Sequence, residues 1–281
     1  MQEYLIINPE NLEKFKKALA EQGFQSMHVV SDFDRTLTKA FVNGKKIPSL
    51  ISVIRDGNYL SSDYAEKAHA LFNKYHPTET DTKIPLTKKK KAMHQWWSEH
   101  FKLLIQCGLT KKDIERAVND GNVQLREGAG EFLDFLAEKE IPFLILSSCG
   151  LGTEAISLFL KKEGKMRGNI HIISNTYIWN ADGKAIGIKE PIIHSLNKEE
   201  ASIKSYPDFK AVQNKKNVLL LGDSLSDTDM IEGFEYKNLL KIGFLNFDVE
   251  RDLGAYKKAY DFLVLNDSSM NEINKFLGEI K

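Results

Sequence analysis

The chain of 281 residues has two cysteines, Cys107 and Cys149, and neither lies in a CxxC pair or at metal-ligand spacing from a histidine. A disulfide framework is thereby excluded and a zinc site is not indicated. Excess charge of either sign is missing as well, since 39 lysines and arginines balance 39 aspartates and glutamates at a pI of about 7.1. A nucleic acid polymer held by counterion release calls for a basic surplus, so that class of partner is not expected. No stretch approaches the ~18 apolar residues that span a bilayer. The opening MQEYLIINPENLEKFKKAL has no basic start and no uninterrupted apolar core, so it does not read as a secretory signal. These absences lead to the expectation of a soluble, cytoplasmic, monomeric protein with a small-molecule partner and no membrane contact.

What is present is ordinary for a globular chain: 42% apolar and 28% charged residues. At roughly 150 residues per domain the length suggests about two domains, or one domain carrying a large insertion. Short apolar runs at 27–31, 142–147, 170–174, 218–221, 239–244 and 262–265 have no polar face, as expected of strands covered on both sides in a parallel sheet. Stretches 128–140 and 153–162 have helical apolar spacing between them. Alternation of this kind predicts an α/β class, with ligands at the carboxyl ends of the strands. The alternation fails between residues 40 and 127, where lysines, aromatics and helix-like spacing dominate, notably at 62–75 and 88–107. Gly44, Pro48, Gly57, Pro77 and Pro85 are expected to supply turns there. The predicted organisation is a core of 1–40 and 128–281 interrupted by a helical segment, 41–127.

The chemistry gathers at strand ends. The first buried strand runs into Asp32-Phe33-Asp34-Arg35-Thr36, two carboxylates and a hydroxyl where backbone groups become free. Either aspartate alone would suit a helix cap. The run at 218–221, however, also ends in acid, Gly222-Asp223-Ser224-Leu225-Ser226-Asp227. If the two strands are neighbours, four carboxylates converge at one sheet edge, an arrangement that repels itself unless a cation or a catalytic task compensates. Oxygen ligands without supporting His or Cys favour magnesium. The strand at 142–147 leads into Ser148-Cys149-Gly150-Leu151-Gly152 and then a helix, which makes an anion site. Lys198 precedes a helical stretch that leads to the acidic strand.

In chain order, the DxDx[TS] loop at Asp32 to Thr36, Ser148 after a strand, Lys198 and the GDxxxD loop at Gly222 to Asp227 resemble the haloacid dehalogenase superfamily of phosphatases. The stretches VVSDFDRTLT, KYHPTET, LREGAGEFLDFL, SSCGLG, HSLNKEE, LLLGDSLSDTDM and LKIGFLN are similar to one branch, the cytosolic pyrimidine 5'-nucleotidase type III family. The resemblance implies a Rossmann-like three-layer sheet core with an inserted helical cap. It implies Asp32 as nucleophile, Asp34 as acid and base, Ser148 and Lys198 as phosphate ligands with Thr36 and the Cys149-Gly150 backbone beside them, and Glu79 at the nucleoside. Asp32, the Asp34 carbonyl and Asp223 would hold Mg2+, with Asp227 orienting the metal shell or Lys198. The implied reaction is hydrolysis of a nucleoside 5'-monophosphate through an aspartyl phosphate: UMP or CMP, or 7-methylguanosine monophosphate, for which Trp96, Trp97 or Phe41 offers a stacking ring. Two other readings compete. A phosphorelay receiver also phosphorylates an aspartate but is less than half this length. Gly222-Asp223-Ser224-Leu225 also spells a serine esterase signature, yet the last histidine, His194, precedes it where that family needs a later one.

Overall fold

Apolar runs without a polar face need cover on both sides, and the six expected ones assemble into one sheet. The structure, a computed structural model, describes residues 2–81, 83–198, 210–233 and 235–280. In chain order its elements are β1 (Tyr4–Ile6), α1 (Pro9–Gln22), β2 (Met27–Ser31), β3 (Phe41–Val42), β4 (Lys45–Lys46), α2 (Leu50–Asp56), α3 (Tyr64–Thr80), α4 (Leu86–Gln106), α5 (Lys111–Asp120), α6 (Ala129–Glu138), β5 (Phe143–Ser147), α7 (Gly152–Lys162), β6 (Ile170–Ser174), β7 (Tyr177–Trp179), β8 (Ala185–Ile188), β9 (Asn217–Gly222), β10 (Asn238–Leu245), α8 (Val249–Ala259), β11 (Phe262–Leu265) and α9 (Asn271–Gly278).

The main sheet has the order β1-β11-β10-β9-β2-β5-β6. All its pairings are parallel except that of β1, which runs antiparallel along β11. Side chains alternate across the sheet as strand geometry requires. Val29, Ile145, Leu219 and Leu221 join a core with Phe15 of α1, Phe132 of α6, Phe159 of α7 and Ile273 of α9. Val30, Leu144, Leu146, Val218 and Leu220 join the opposite one with Ile193, Val212 and Met230. The result is the expected three-layer α/β architecture. From β2 the chain crosses toward β5 and β6, whereas β9, β10 and β11 lie on the other flank. The order therefore reverses between β2 and β9, and a crevice opens at their carboxyl ends, where such sheets bind ligands.

Residues 41–127 hold α2 to α5 and, among the described residues, only a two-residue pairing of β3 with β4 as strand, neither of which is buried on both faces. Helices α3 and α4 pack along each other. Pro77 departs from expectation, because it does not end the helix: α3 continues to Thr80, and the Asp81 amide still donates to the Pro77 carbonyl at 3.1 Å. A proline in the last turn forfeits one intrahelical bond and leaves few residues to misalign. Another unforeseen element is the β7–β8 hairpin, which clasps the turn between α4 and α5 through Ala185 N to Leu109 O at 2.9 Å and Lys111 N to Gly183 O at 3.0 Å. The helical stretch expected after Lys198 lies largely outside the described residues.

Phe33 is buried between the two aspartates of the first motif, with its ring edge-on to that of Phe159 at 5.5 Å. A core phenylalanine truncated to alanine commonly costs about 3–5 kcal/mol. Urea unfolding of Phe159→Ala is expected to show a loss in that range, and Phe159→Leu a smaller one.

Candidate active site

Three strand ends and one loop bring the motifs together. The ladder between β2 and β9 extends one step past Ser31, with the Asp32 amide donating to the Leu221 carbonyl at 3.0 Å. Asp32 is thereby fixed at the switch point. Beyond it the chain turns back on itself through Leu37 N to Phe33 O at 3.1 Å, and Arg35 takes a left-handed conformation, φ 62°. That geometry costs a non-glycine residue roughly 1–2 kcal/mol. It is held by the Arg35 amide donating to Thr38 Oγ1 at 2.8 Å. The Arg35 guanidinium approaches the Asp223 carboxylate at 3.7 Å. The Thr36 hydroxyl is buried without a hydrogen-bond partner, which leaves a donor free for a ligand.

The second acidic loop is closed by its own last member. Asp227 Oδ2 accepts from the amides of Asp223 at 3.0 Å and Ser224 at 2.9 Å, and Oδ1 accepts from Lys198 Nζ at 2.7 Å. Lys198 also donates to Asp32 Oδ1 at 2.5 Å, so one ammonium bridges the two acidic loops. Its side chain is 5% exposed. Burial alone would lower the Lys198 pKa, but Asp227 and Asp32 outweigh burial and hold it above the usual lysine value. Gly222 is required beside this loop, because a Cβ there would meet the Asp227 Cβ at 2.4 Å.

Ser148, half-buried, Cys149 and Gly150 follow β5 as expected. Cys149 is buried and its thiol pKa is pushed far up by burial and then by Asp34, so it stays a protonated, inert side chain. Gly150 is overlaid by the helical segment: an added Cβ would meet the Trp97 ring at 2.6 Å and Ile51 at 2.8 Å. Trp97 is therefore the tryptophan turned toward this loop, and it stacks on His100 with ring centres 5.7 Å apart. Trp96 is buried among Tyr75 and Met93. Phe41 packs on Phe247. Glu79 Oε1 accepts from Ser195 Oγ at 2.7 Å, which joins the end of α3 to the loop that carries Lys198.

Several supporting residues were not anticipated. Buried Asn175 donates to the Cys149 and Ile193 carbonyls at 3.3 and 2.9 Å and accepts from the Ile193 amide at 2.9 Å, tying the Ser148 loop to the approach to Lys198. Tyr256 on α8 and Tyr260 just past its end donate to the carbonyls of Asp223 and Ser224. Single polar residues of common type carry no spacing signal. Only the four-residue interval of the tyrosines, facing one strand end, offered a clue.

The site can hold a cation. Asp32, Asp223 and Asp227 each offer an oxygen within 4.8 Å of the others, an oxygen-only set suited to a hard divalent ion. Burial, then Asp227, pushes the Asp223 carboxyl up to about 7, the signature of a carboxylate short of positive charge. Asp34 is raised too, chiefly by burial, which favours its protonated form.

Residues 35–281 match the pyrimidine 5'-nucleotidase (UMPH-1) family. The chain belongs to this family. Its matched range begins three residues after Asp32, but relatives cover that part as well. The mouse protein described as a 7-methylguanosine phosphate-specific 5'-nucleotidase is 34% identical over 98% of this chain and 92% of its own. The solved cytosolic 5'-nucleotidase IIIB bound to cytidine superposes with a TM-score of 0.89 at 25% identity, covering 100% of this chain and 94% of that one. A phosphoserine phosphatase with a phospho-aspartyl analogue, 18% identical, covers 89% of this chain and 97% of its own with a TM-score of 0.53, which supports the haloacid dehalogenase-type fold. The expected family and fold both hold. The family match covers Gly222 to Leu225, the stretch that also spells a serine esterase signature, and the Ser224 hydroxyl pairs with that of Ser226 at 2.8 Å.

Protons and cations compete for the same carboxylates. The Asp223 carboxyl titrates near 7, above its unfolded value, so without a cation it favours folding when protonated, and that contribution fades as pH rises from about 4 through 7. Added Mg2+ at a hundred times its dissociation constant is expected to stabilise by about 2.7 kcal/mol, which is roughly 5–10 °C in Tm for a chain of this size. Differential scanning fluorimetry should find that increment at pH 8 and much less of it at pH 5.

Proposed function

We propose that the protein is a magnesium-dependent 5'-nucleotidase that hydrolyses nucleoside 5'-monophosphates through an aspartyl phosphate on Asp32. The observation that carries this reading is the buried Lys198 ammonium bridging Asp32 and Asp227, together with the unpartnered Thr36 hydroxyl of the Asp32 loop. An ammonium so placed orients the Asp32 carboxylate and offers its remaining proton to an incoming phosphate oxygen.

The step order follows from the charges. Asp32 attacks phosphorus in line, while Asp34, its pKa raised chiefly by burial, gives a proton to the departing 5'-oxygen. Asp34, now ionised, takes a proton from the water that hydrolyses the aspartyl phosphate and frees Asp32. Lys198, Thr36, Ser148 and the amides of Cys149 and Gly150 bind the phosphoryl oxygens. Both oxygens of Asp227 are already engaged, so its role is to hold Lys198 and the Asp223 loop; Asp32, Asp223 and the Asp34 carbonyl remain as the magnesium ligands. The ion, when bound, supplies positive charge to the phosphoryl group.

Residues 41–127 serve as a cap over the core formed by 1–40 and 128–281. Closing on Gly150, the cap excludes water and large phosphate esters and supplies the nucleoside contacts. Trp97 is the stacking ring, and Glu79 reaches the nucleoside from the end of α3. Relatives are described as 7-methylguanosine phosphate-specific, and the similar solved structure holds cytidine. Both 7-methylguanosine monophosphate and CMP are therefore proposed substrates. The protein acts as a cytoplasmic monomer.

Phosphate release from UMP, CMP, 7-methylguanosine monophosphate and GMP, with and without EDTA, tests the reading. Activity is expected to vanish with EDTA and to fall at least a thousandfold in Asp32→Asn. Release that survives EDTA, or an active Asp32→Asn, sinks the chemistry, and lasting labelling by acetyl phosphate without turnover marks a receiver instead. Loss of a base-stacking ring costs about 1–3 kcal/mol, so Trp97→Ala is expected to raise KM roughly tenfold or more. Trp96→Ala should act mainly on Tm, and Glu79→Ala should shift the preference among the bases.

A further inference from the structure

The chain enters the helical segment at Ala40 and leaves it at Glu127, and the two crossings run side by side. Lys39 N donates to Gln124 O at 3.0 Å and Arg126 N to Leu37 O at 2.8 Å, around an antiparallel bridge between Thr38 and Leu125. The Arg126 side chain turns inward from this ladder and is fully buried. Each of its nitrogens is engaged. Nε donates to Thr36 O at 2.9 Å; Nη1 donates to Ser268 O at 2.8 Å and pairs with Asp267 Oδ1 at 3.0 Å. Nη2 donates to Arg35 O at 2.5 Å and Asn246 Oδ1 at 3.0 Å, with Thr38 O at 3.5 Å. The guanidinium lies over the Phe244 ring, 4.7 Å from its centre.

Asp267 completes the arrangement. Besides neutralising Arg126, its two carboxylate oxygens accept from the amides of Ala40 and Phe41, both at 2.8 Å, at the very entrance to the helical segment. Asn246 adds a second donor to the Arg35 carbonyl at 2.9 Å. One buried ion pair thus grips the carbonyls of residues 35, 36 and 38 and the amides of residues 40 and 41. Because Arg35 is left-handed, the loop cannot satisfy these carbonyls with a regular helical turn. Only a planar fork of five donors reaches three of them at once, and lysine, with a single nitrogen, does not.

We propose that Arg126, with Asp267 as its counter-ion, is a positioning residue: it fixes the loop from Asp34 to Thr38 and the entrance to the helical segment as one unit. The Asp34 carboxyl and the Thr36 hydroxyl then meet the reacting phosphate already oriented, and the seating of the helical segment is set by the same guanidinium. Neither Arg126 nor Asp267 touches the substrate. The kinetic consequence rests on the nucleotidase reading, whereas the clamp itself does not.

Steady-state kinetics and amide hydrogen exchange on the full chain test it, with Arg126→Lys and Asp267→Asn. In Arg126→Lys, kcat is expected to fall at least tenfold with KM within threefold of wild type. Exchange in the peptide covering residues 34–41 should quicken at least tenfold while strands β5 and β9 stay protected. A globally destabilised protein would lose protection in the strands as well, so the local pattern separates positioning from folding. Asp267→Asn is expected to move the same readouts by less, and it decides the matter if Arg126→Lys does not fold. Unchanged exchange across 34–41, or a folded Arg126→Lys with kcat within threefold of wild type, overturns the proposal. If wild type releases no phosphate from any nucleotide, the nucleotidase reading falls, and the exchange data still decide whether the clamp exists.

Discussion

One buried ammonium ties together the two acidic loops at the carboxyl ends of β2 and β9. Lys198 lies between Asp32 of the first loop and Asp227 of the last, at 2.5 and 2.7 Å. Taking three charged groups out of water is expensive, and removing one member of such a cluster leaves the others uncompensated, typically at a cost of about 3–5 kcal/mol. A stability argument alone would favour apolar residues of similar volume here. The cluster is better understood through geometry: the ammonium fixes the relative position of two loops that belong to neighbouring strands but are separated by most of the chain. Asp227 extends that order, since the oxygen not used by Lys198 closes the Asp223 and Ser224 amides into a turn.

Charge ties the carboxylates of the two loops together, and neutral hydrogen bonds hold the backbone that carries them. Asn175, Tyr256 and Tyr260 each address main-chain groups. That division has a physical reason. A charged support beside the carboxylates would shift their pKa values and compete for the cation, whereas a phenol or an amide fixes a carbonyl without altering the site's net charge. Arg126 is the exception: its counter-ion is Asp267, and it also feels the charge of Asp223.

Strand positions were legible because burial on both faces leaves short apolar runs that end in small or acidic residues; 27–31, 170–174 and 262–265 match the observed strands, and the others agree within two residues. The motif residues were legible because they stand directly after those runs. The β7–β8 hairpin was not. Its Ile178 and Ile186 are exposed, and it forms by clasping the α4–α5 turn, so its cause is tertiary and leaves no alternation to read. Trp96 and Trp97 were indistinguishable in sequence for a related reason. Adjacent residues on a helix point about 100° apart, and which one faces Gly150 depends on how α4 is rotated against the core. Arg126 sits in a recognisable stretch, LREGAGEFLDFL, but its partners are main-chain carbonyls, which any sequence possesses.

The overall balance of 39 against 39 charges conceals a local imbalance that sets the order of binding. Burial and mutual repulsion raise the pKa values of Asp32 and Asp223, and burial that of Asp34, although Lys198 and Arg35 stand beside them, so positive charge is in short supply at the empty site. A phosphate monoester dianion approaching that surface is repelled. A divalent cation supplies the missing positive charge, and the dianion in turn offsets the cation. Burial makes the intermediate states costly, because screening by water is weak there. Cation and phosphate are consequently coupled: each binds more tightly when the other is present, and by linkage the strengthening is mutual. A site of this kind does not need a basic surface to attract its substrate, which is why a chain with no net charge suits an anionic ligand.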